Sequence, residues 1–264
     1  MDSTVPVVAG ALVAGLGGLL VPRLIARIPE VEHDDVAAEA PPGPGSDRER
    51  DVDVTVTEQA AQPAKAVEDP PEPFADIARL PGLAWRSAVV AAIAGAVLGG
   101  SLGAHWAWLM WVPLVPAYVA LALVDWRTRL LPTFVIAPLY GVLVALALVG
   151  WAVTRDTDAL VHAVLGWLVY GGLFAVLWFI YPRGLGYGDV RLGGLLGIAL
   201  GWLGWGAVLI GMYSGLLLGG LLGLVLAMLK VVDRRNNPFG PYMLVGALIG
   251  VLWGEAMWSS LVGG

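Results

Sequence analysis

The chain has 264 residues, 58% of them hydrophobic and 14% charged, and a mean hydropathy of +0.77. Soluble domains carry about 25% charged residues, so a water-soluble fold is excluded and an all-α polytopic protein of the lipid bilayer is expected. Cysteine is absent, which removes disulfides, thiolate zinc sites and a cysteine nucleophile together. The formal charge of −6 is unevenly spread, because fourteen acids and three bases lie between Glu30 and Asp76. The rest of the chain holds seven acids and twelve bases.

Apolar runs of about 18 or more residues read as membrane spans. The first, Val5 to Val21, is followed by Arg23 and Arg27 and preceded by Asp2. A cleavable signal has its positive charge in front of the apolar core, so residues 1–28 are expected to stay as an anchoring span. Residues 29–81 then turn acidic and rich in proline, with breakers at Pro41-Pro42-Gly43-Pro44 and Asp69-Pro70-Pro71-Glu72-Pro73. Such a segment buries too little apolar surface to offset its backbone entropy, and a disordered cytosolic loop is expected. Val52, Val54 and Val56 alternate with polar residues and suit a short strand.

Residues 82–264 read as a seven-helix membrane domain. Its spans fall at about Trp85–Leu102, Trp106–Val124, Leu131–Trp151, Ala159–Tyr181, Val190–Trp202, Trp205–Leu229 and Pro241–Leu261, which brings the total to eight. Tryptophans stand at many of these ends, Trp85, Trp126, Trp151 and Trp202 among them, where interfacial anchors are expected. With both termini outside, fourteen of the fifteen lysines and arginines fall on the cytosolic side, and only Arg155 falls outside. That bias fixes the orientation expected.

Glycines recur at every fourth residue in the last three spans: Gly193, Gly197 and Gly201; Gly211, Gly215, Gly219 and Gly223; Gly246, Gly250 and Gly254. Small residues at that spacing let helices approach closely in lipid, so these spans are expected to form one compact unit. The glycines carry packing, not chemistry. His162, alone in the fifth span, is expected to be a packing residue. Glu255 is expected to face other helices near the outer surface.

Two aspartates stand apart. Asp125 closes the third span, running inward, and Asp189 opens the sixth, running outward, so both carboxylates belong to the cytosolic end of the bundle. Asp189 follows Gly184, Gly186 and Gly188, which allow close backbone approach. Asp189 also suits a helix cap, and Asp125 suits a pair with Arg127 or Arg129. Against those structural roles, ionisable groups at membrane depth are costly and mark function. The sixth span is short, so Asp189 is expected below the bilayer surface. Two meeting carboxylates share one proton. The ionised one can take a proton from water while the other donates to a scissile carbonyl. The pair therefore points to a hydrolase. A proton- or cation-coupled transporter would use the same two residues, and a structural subunit of a secretion machine would need neither.

Four stretches, in order, resemble the prepilin peptidases, the type IV leader peptidases among the GxGD intramembrane aspartic proteases. Arg27-Ile28-Pro29 follows the first span. Asp125-Trp126-Arg127-Thr128-Arg129-Leu130-Leu131-Pro132 is similar to the family's first aspartate motif. Gly186-Tyr187-Gly188-Asp189-Val190-Arg191-Leu192 is similar to GxGDxKL, and Pro238-Phe239-Gly240-Pro241-Tyr242 matches PFGPY. The resemblance implies that Asp125 and Asp189 are catalytic. It implies that Gly186, Gly188, Arg191, Pro238, Phe239, Gly240 and Pro241 shape the site or bind substrate. Partners would be prepilins or pilin-like secretion subunits, cut behind a short basic leader at the cytosolic face of a bacterial inner membrane. No nucleic-acid partner is expected.

The departures also carry weight. Many relatives hold two Cys-x-x-Cys pairs after the first span, forming a zinc-bound domain linked to N-methylation. The acidic loop replaces them here, so peptidase activity is expected without zinc, S-adenosylmethionine or methyl transfer. Arg191 stands where lysine is usual, and Thr133 where Asn or Asp is common. The charge of the acidic loop also offers a means of concentrating a basic leader.

Overall fold

The structure, a computed structural model, describes residues 4–30, 72–181, 185–222 and 238–262. These residues form helices and turns, with no strand among them. The valine alternation at 52–56 and most of the acidic loop lie outside the described residues, as does Gly223.

Among the described residues, ten helical segments follow one another. They are α1 (Thr4–Gly18), α2 (Val21–Ile25), α3 (Phe74–Ala78), α4 (Leu83–Leu102), α5 (Ala107–Thr128), α6 (Thr133–Thr154), α7 (Thr157–Ile180), α8 (Tyr187–Gly201), α9 (Trp205–Leu217) and α10 (Gly240–Val262). Five of them, α4, α5, α6, α7 and α10, are long and apolar enough to cross a membrane. With its apolar helices and its charge bias this is a multi-pass membrane protein. Among the described residues the expected count of eight is not confirmed on length: α1 and α8 are shorter, and the span expected at Trp205–Leu229 runs past the described part of α9. At 15 residues, α8 is about 22 Å long, against an apolar core of about 30 Å. Lipid does not set its length, because eleven of its residues are buried among other helices. It is the central helix, packed on α6, α7, α9 and α10.

Close approach between backbones organises the bundle in three places. α1 lies along α4, where the Gly10 backbone meets those of Gly95 and Gly99. α9 lies along α10, where Gly211 and Gly215 meet Gly246, and Gly250 and Gly254 meet Ala207. The third contact differs from expectation. Gly197 and Gly201 of α8 face Gly166, His162 and Ala163 of α7, so the early ridge ties α8 to α7 and leaves the late ridges to join α9 and α10. Trp202 also departs from the interfacial role expected of it, being only 4% exposed and part of the core.

Helix ends are set by specific residues. α5 runs through a short 3₁₀ turn at Val112–Leu114, with Pro113 and Pro116 at its bends, where proline cannot supply an amide. It stops at Arg129, which adopts a left-handed φ of 59° while its amide donates to the Asp125 carbonyl at 2.8 Å. A non-glycine residue in that conformation ends a helix abruptly. Glu255 has a structural part to play: its Oε1 accepts from the Ala207 amide at 3.2 Å, capping the start of α9 from α10. His162 sets its ring edge against Trp205 at 5.8 Å, as befits packing.

The glycine contacts make a direct comparison possible. A Cβ on Gly246 would lie 2.6 Å from the Gly211 carbonyl oxygen, whereas one on Gly141 would meet nothing within 4 Å. Gly246→Val is expected to destabilise the protein by about 2 kcal/mol, and Gly141→Ala to leave it unchanged or slightly firmer. Thermal melts in detergent check both.

Candidate active site

Four helix ends meet at one end of the bundle: the end of α5 and the starts of α6, α8 and α10. Asp125 sits in the last turn of α5 and Asp189 in the first turn of α8. Both are buried, at 3% and 7% exposure. Their charges are close enough to act on each other, so the structure brings together residues 64 positions apart in the chain.

Each carboxylate is held by a glycine amide. The Gly240 N–H donates to Asp125 Oδ2 at 2.8 Å. The Gly186 N–H donates to Asp189 Oδ2 at 2.9 Å, while the Asp189 amide donates back to the Gly186 carbonyl at 3.1 Å. The capping role considered for Asp189 is therefore real, but it occupies one oxygen only. Among the described residues, the ion pair considered for Asp125 with Arg127 or Arg129 does not form. Arg127 instead pairs bidentately with Glu72, both bonds at 2.7 Å.

The glycines flanking the carboxylates have steric reasons. A Cβ at Gly240 would lie 2.7 Å from Asp125 Oδ2, and one at Gly188 would lie 2.6 Å from the Leu131 Cβ. Leu131 thus presses the connection after α5 onto the first turn of α8. The PFGP segment supplies the third wall: Pro238 is buried, and the Phe239 ring lies 5.7 Å from that of Phe174. Pro241 is half-buried at the second position of α10. Gly186 is exposed at the mouth.

Arg191 lies outside the dyad itself. Its guanidinium contacts the Thr133 hydroxyl and lies 4.7 Å from the centre of the Tyr187 ring. The two positions that depart from the family pattern therefore touch, joining α6 to α8 beside Asp189. The Tyr140 hydroxyl donates to the Arg191 carbonyl at 2.8 Å. Tyr140 also borders an apolar groove with Val144, Leu148, Val164, Trp167 and Ile198.

Several participants were not legible beforehand. Glu30 accepts from the Phe74 and Ala75 amides at 3.2 and 3.1 Å, and Glu72 grips Arg127. The two ends of the acidic segment are thus fastened together beside the last turn of α5. Nothing in the composition of that segment separates these two acids from their neighbours. Tyr140 and Tyr170 did carry a signal, being hydroxyls in otherwise apolar runs.

Among the described residues no group of three or more potential ligands could hold a metal ion. The fold and this end of the bundle define a class: a helical membrane protein with a buried, amide-held carboxylate pair. Comparison with known proteins narrows it. Residues 112–228, which include both aspartates, match the type IV leader peptidase family. A prepilin leader peptidase/N-methyltransferase of Pseudomonas putida is 32% identical over 175 residues, covering 64% of this chain and 58% of that protein. One of Pseudomonas aeruginosa is 30% identical over 142 residues, covering 52% and 47%. One of Escherichia coli strain K12 is 32% identical over 150 residues, covering 54% and 61%. The chain spans about half to three fifths of the length of these curated relatives. No solved structure matches it.

The Glu72–Arg127 pair gives a pH test. The hydrogen bond from Arg127, and after it the Arg127 charge, hold the Glu72 carboxyl below its ordinary value. The pair's contribution is complete above that ordinary value and is lost as pH falls through the lowered one. Arg127→Ala is expected to cost less than about 1 kcal/mol at neutral pH, since the pair is largely solvated. Melting points of the wild type and the variant should converge as the pH falls. A difference independent of pH would assign the effect to packing.

Proposed function

We propose that this protein is an intramembrane aspartic endopeptidase. It removes the short basic leader from prepilins or pilin-like secretion subunits at the cytosolic face of a bacterial inner membrane. The observation that carries the reading is the convergence of Asp125 and Asp189, buried and each held by one glycine amide, within the segment that matches the family.

In this mechanism one carboxylate is ionised and takes a proton from a water molecule, whose oxygen attacks the scissile carbonyl carbon. The other carboxyl donates its proton to the carbonyl oxygen. As the tetrahedral intermediate collapses, the C–N bond breaks, and the carboxyl that took the water proton passes it to the leaving nitrogen. The other carboxylate takes a proton back from a hydroxyl of the intermediate, which returns the pair to its starting state. The two groups titrate as one unit. The amides of Gly240 and Gly186 keep each carboxylate pointed at the same space. The apolar stretch behind the cut lies against the groove beside Tyr140, and the basic leader meets the acidic segment fastened next to Arg127. No metal, zinc or S-adenosylmethionine takes part, and methyl transfer is not proposed.

Co-expression with a prepilin in bacterial membranes tests the reading. Asp125→Asn and Asp189→Asn are each expected to lower cleavage by about 10³-fold or more at normal protein level. Gly240→Ala is expected to reduce it severely, because its Cβ would displace the Asp125 carboxylate. Full processing by both asparagine variants would reject the proposal.

A further inference from the structure

Tyr170 is fully buried, and its hydroxyl has no hydrogen-bond partner among the described residues. A buried donor left unmade is costly, and a phenylalanine of the same shape would avoid that cost. Nothing in the packing calls for the oxygen. The ring stacks on Phe174 at 5.4 Å, and Phe174 lies against Phe239, the neighbour of the glycine that holds Asp125.

The backbone sets this side chain with some care. Trp167–Gly171 form a π-helical turn within α7. Such turns insert an extra residue and gather at functional sites. Here the turn leaves two successive residues, Tyr170 and Gly171, buried together. Gly171 takes the close contact with the backbone of Gly194 on α8, while Tyr170 is turned towards α8 and α9. A Cβ at Gly193, one turn beyond Asp189, would lie 3.3 Å from the Tyr170 ring, and one at Gly215 would lie 3.5 Å from its oxygen. The hydroxyl thus occupies a niche walled by glycines, within range of the Asp189 charge.

Asp189 has a matching need. Its Oδ2 takes the Gly186 amide, and no other donor among the described residues reaches the carboxylate. We propose that Tyr170 is a positioning residue whose hydroxyl donates to Asp189 in the substrate-loaded site, fixing the orientation of that carboxyl group within the pair. This rests on the peptidase reading above and adds to it a residue that the two-aspartate scheme does not require.

Tyr118 supplies a matched control. It too is buried with an unpartnered hydroxyl, but its ring packs 6.0 Å from that of Trp111, about 10 Å along α5 from Asp125. The experiment compares the wild type, Asp189→Asn, Tyr170→Phe and Tyr118→Phe on a prepilin in membranes, reading kcat and KM separately along with melting temperature. Tyr170→Phe is expected to lower kcat by about tenfold or more, the loss of one hydrogen bond to a charged group. KM and melting temperature should hold, and Tyr118→Phe should match the wild type. An unchanged kcat in Tyr170→Phe, or equal losses in both phenylalanine variants, would overturn the assignment while leaving the dyad intact. Full activity in Asp189→Asn, or no cleavage by the wild type, would sink the peptidase reading and this inference with it.

Discussion

Taking a carboxylate out of water is expensive unless donors replace the lost hydration. Asp125 and Asp189 are both withdrawn from solvent, yet among the described residues each receives a single hydrogen bond, from Gly240 and from Gly186. That sparse arrangement governs the surrounding architecture. α5 must end sharply after Asp125, α8 and α10 must begin beside it, and the donor to Asp125 must be a glycine, because a Cβ at Gly240 would lie 2.7 Å from its Oδ2. The short length of α8 follows from the same constraint, because its first turn must stop at the level of its partner and not at the membrane surface.

The glycine contacts serve this geometry from a distance. Backbone-to-backbone approach joins α7 to α8 and α9 to α10, so the helices that carry Asp189 and the Asp125 donor are held with little freedom to drift. In lipid such contacts replace the hydrophobic drive that assembles soluble bundles. One consequence is that substitutions far from the aspartates, at Gly197 or Gly246, act on the site through helix position alone.

Much of this was legible in the sequence, for identifiable reasons. Hydropathy located the helices because apolar length is a one-dimensional property. Charge bias put Asp125 and Asp189 at one end without any knowledge of packing. Three things were not legible. The ridge on α8 could not be assigned to α7, because a glycine spacing names a helix face and not its partner. Trp202 looked interfacial because it closes an apolar run, but that helix end is buried, and no local pattern records that. Glu30 and Glu72, lost among similar acids, gained their roles only when the chain brought α3 against α2 and Arg127 within reach. Tyr170 lay between these cases: a hydroxyl in an apolar run was visible, but its neighbours were not.

The central claim is that the two carboxylates occupy one small space. Because the chain has no cysteine, thiol cross-linking can test this against a clean background. Asp125→Cys with Asp189→Cys, in membranes, should be joined efficiently by a short bifunctional thiol reagent. Asp125→Cys with Glu255→Cys, about 22 Å further along α10, should not. Failure of the first pair to link, with each single cysteine still open to labelling, would contradict the account.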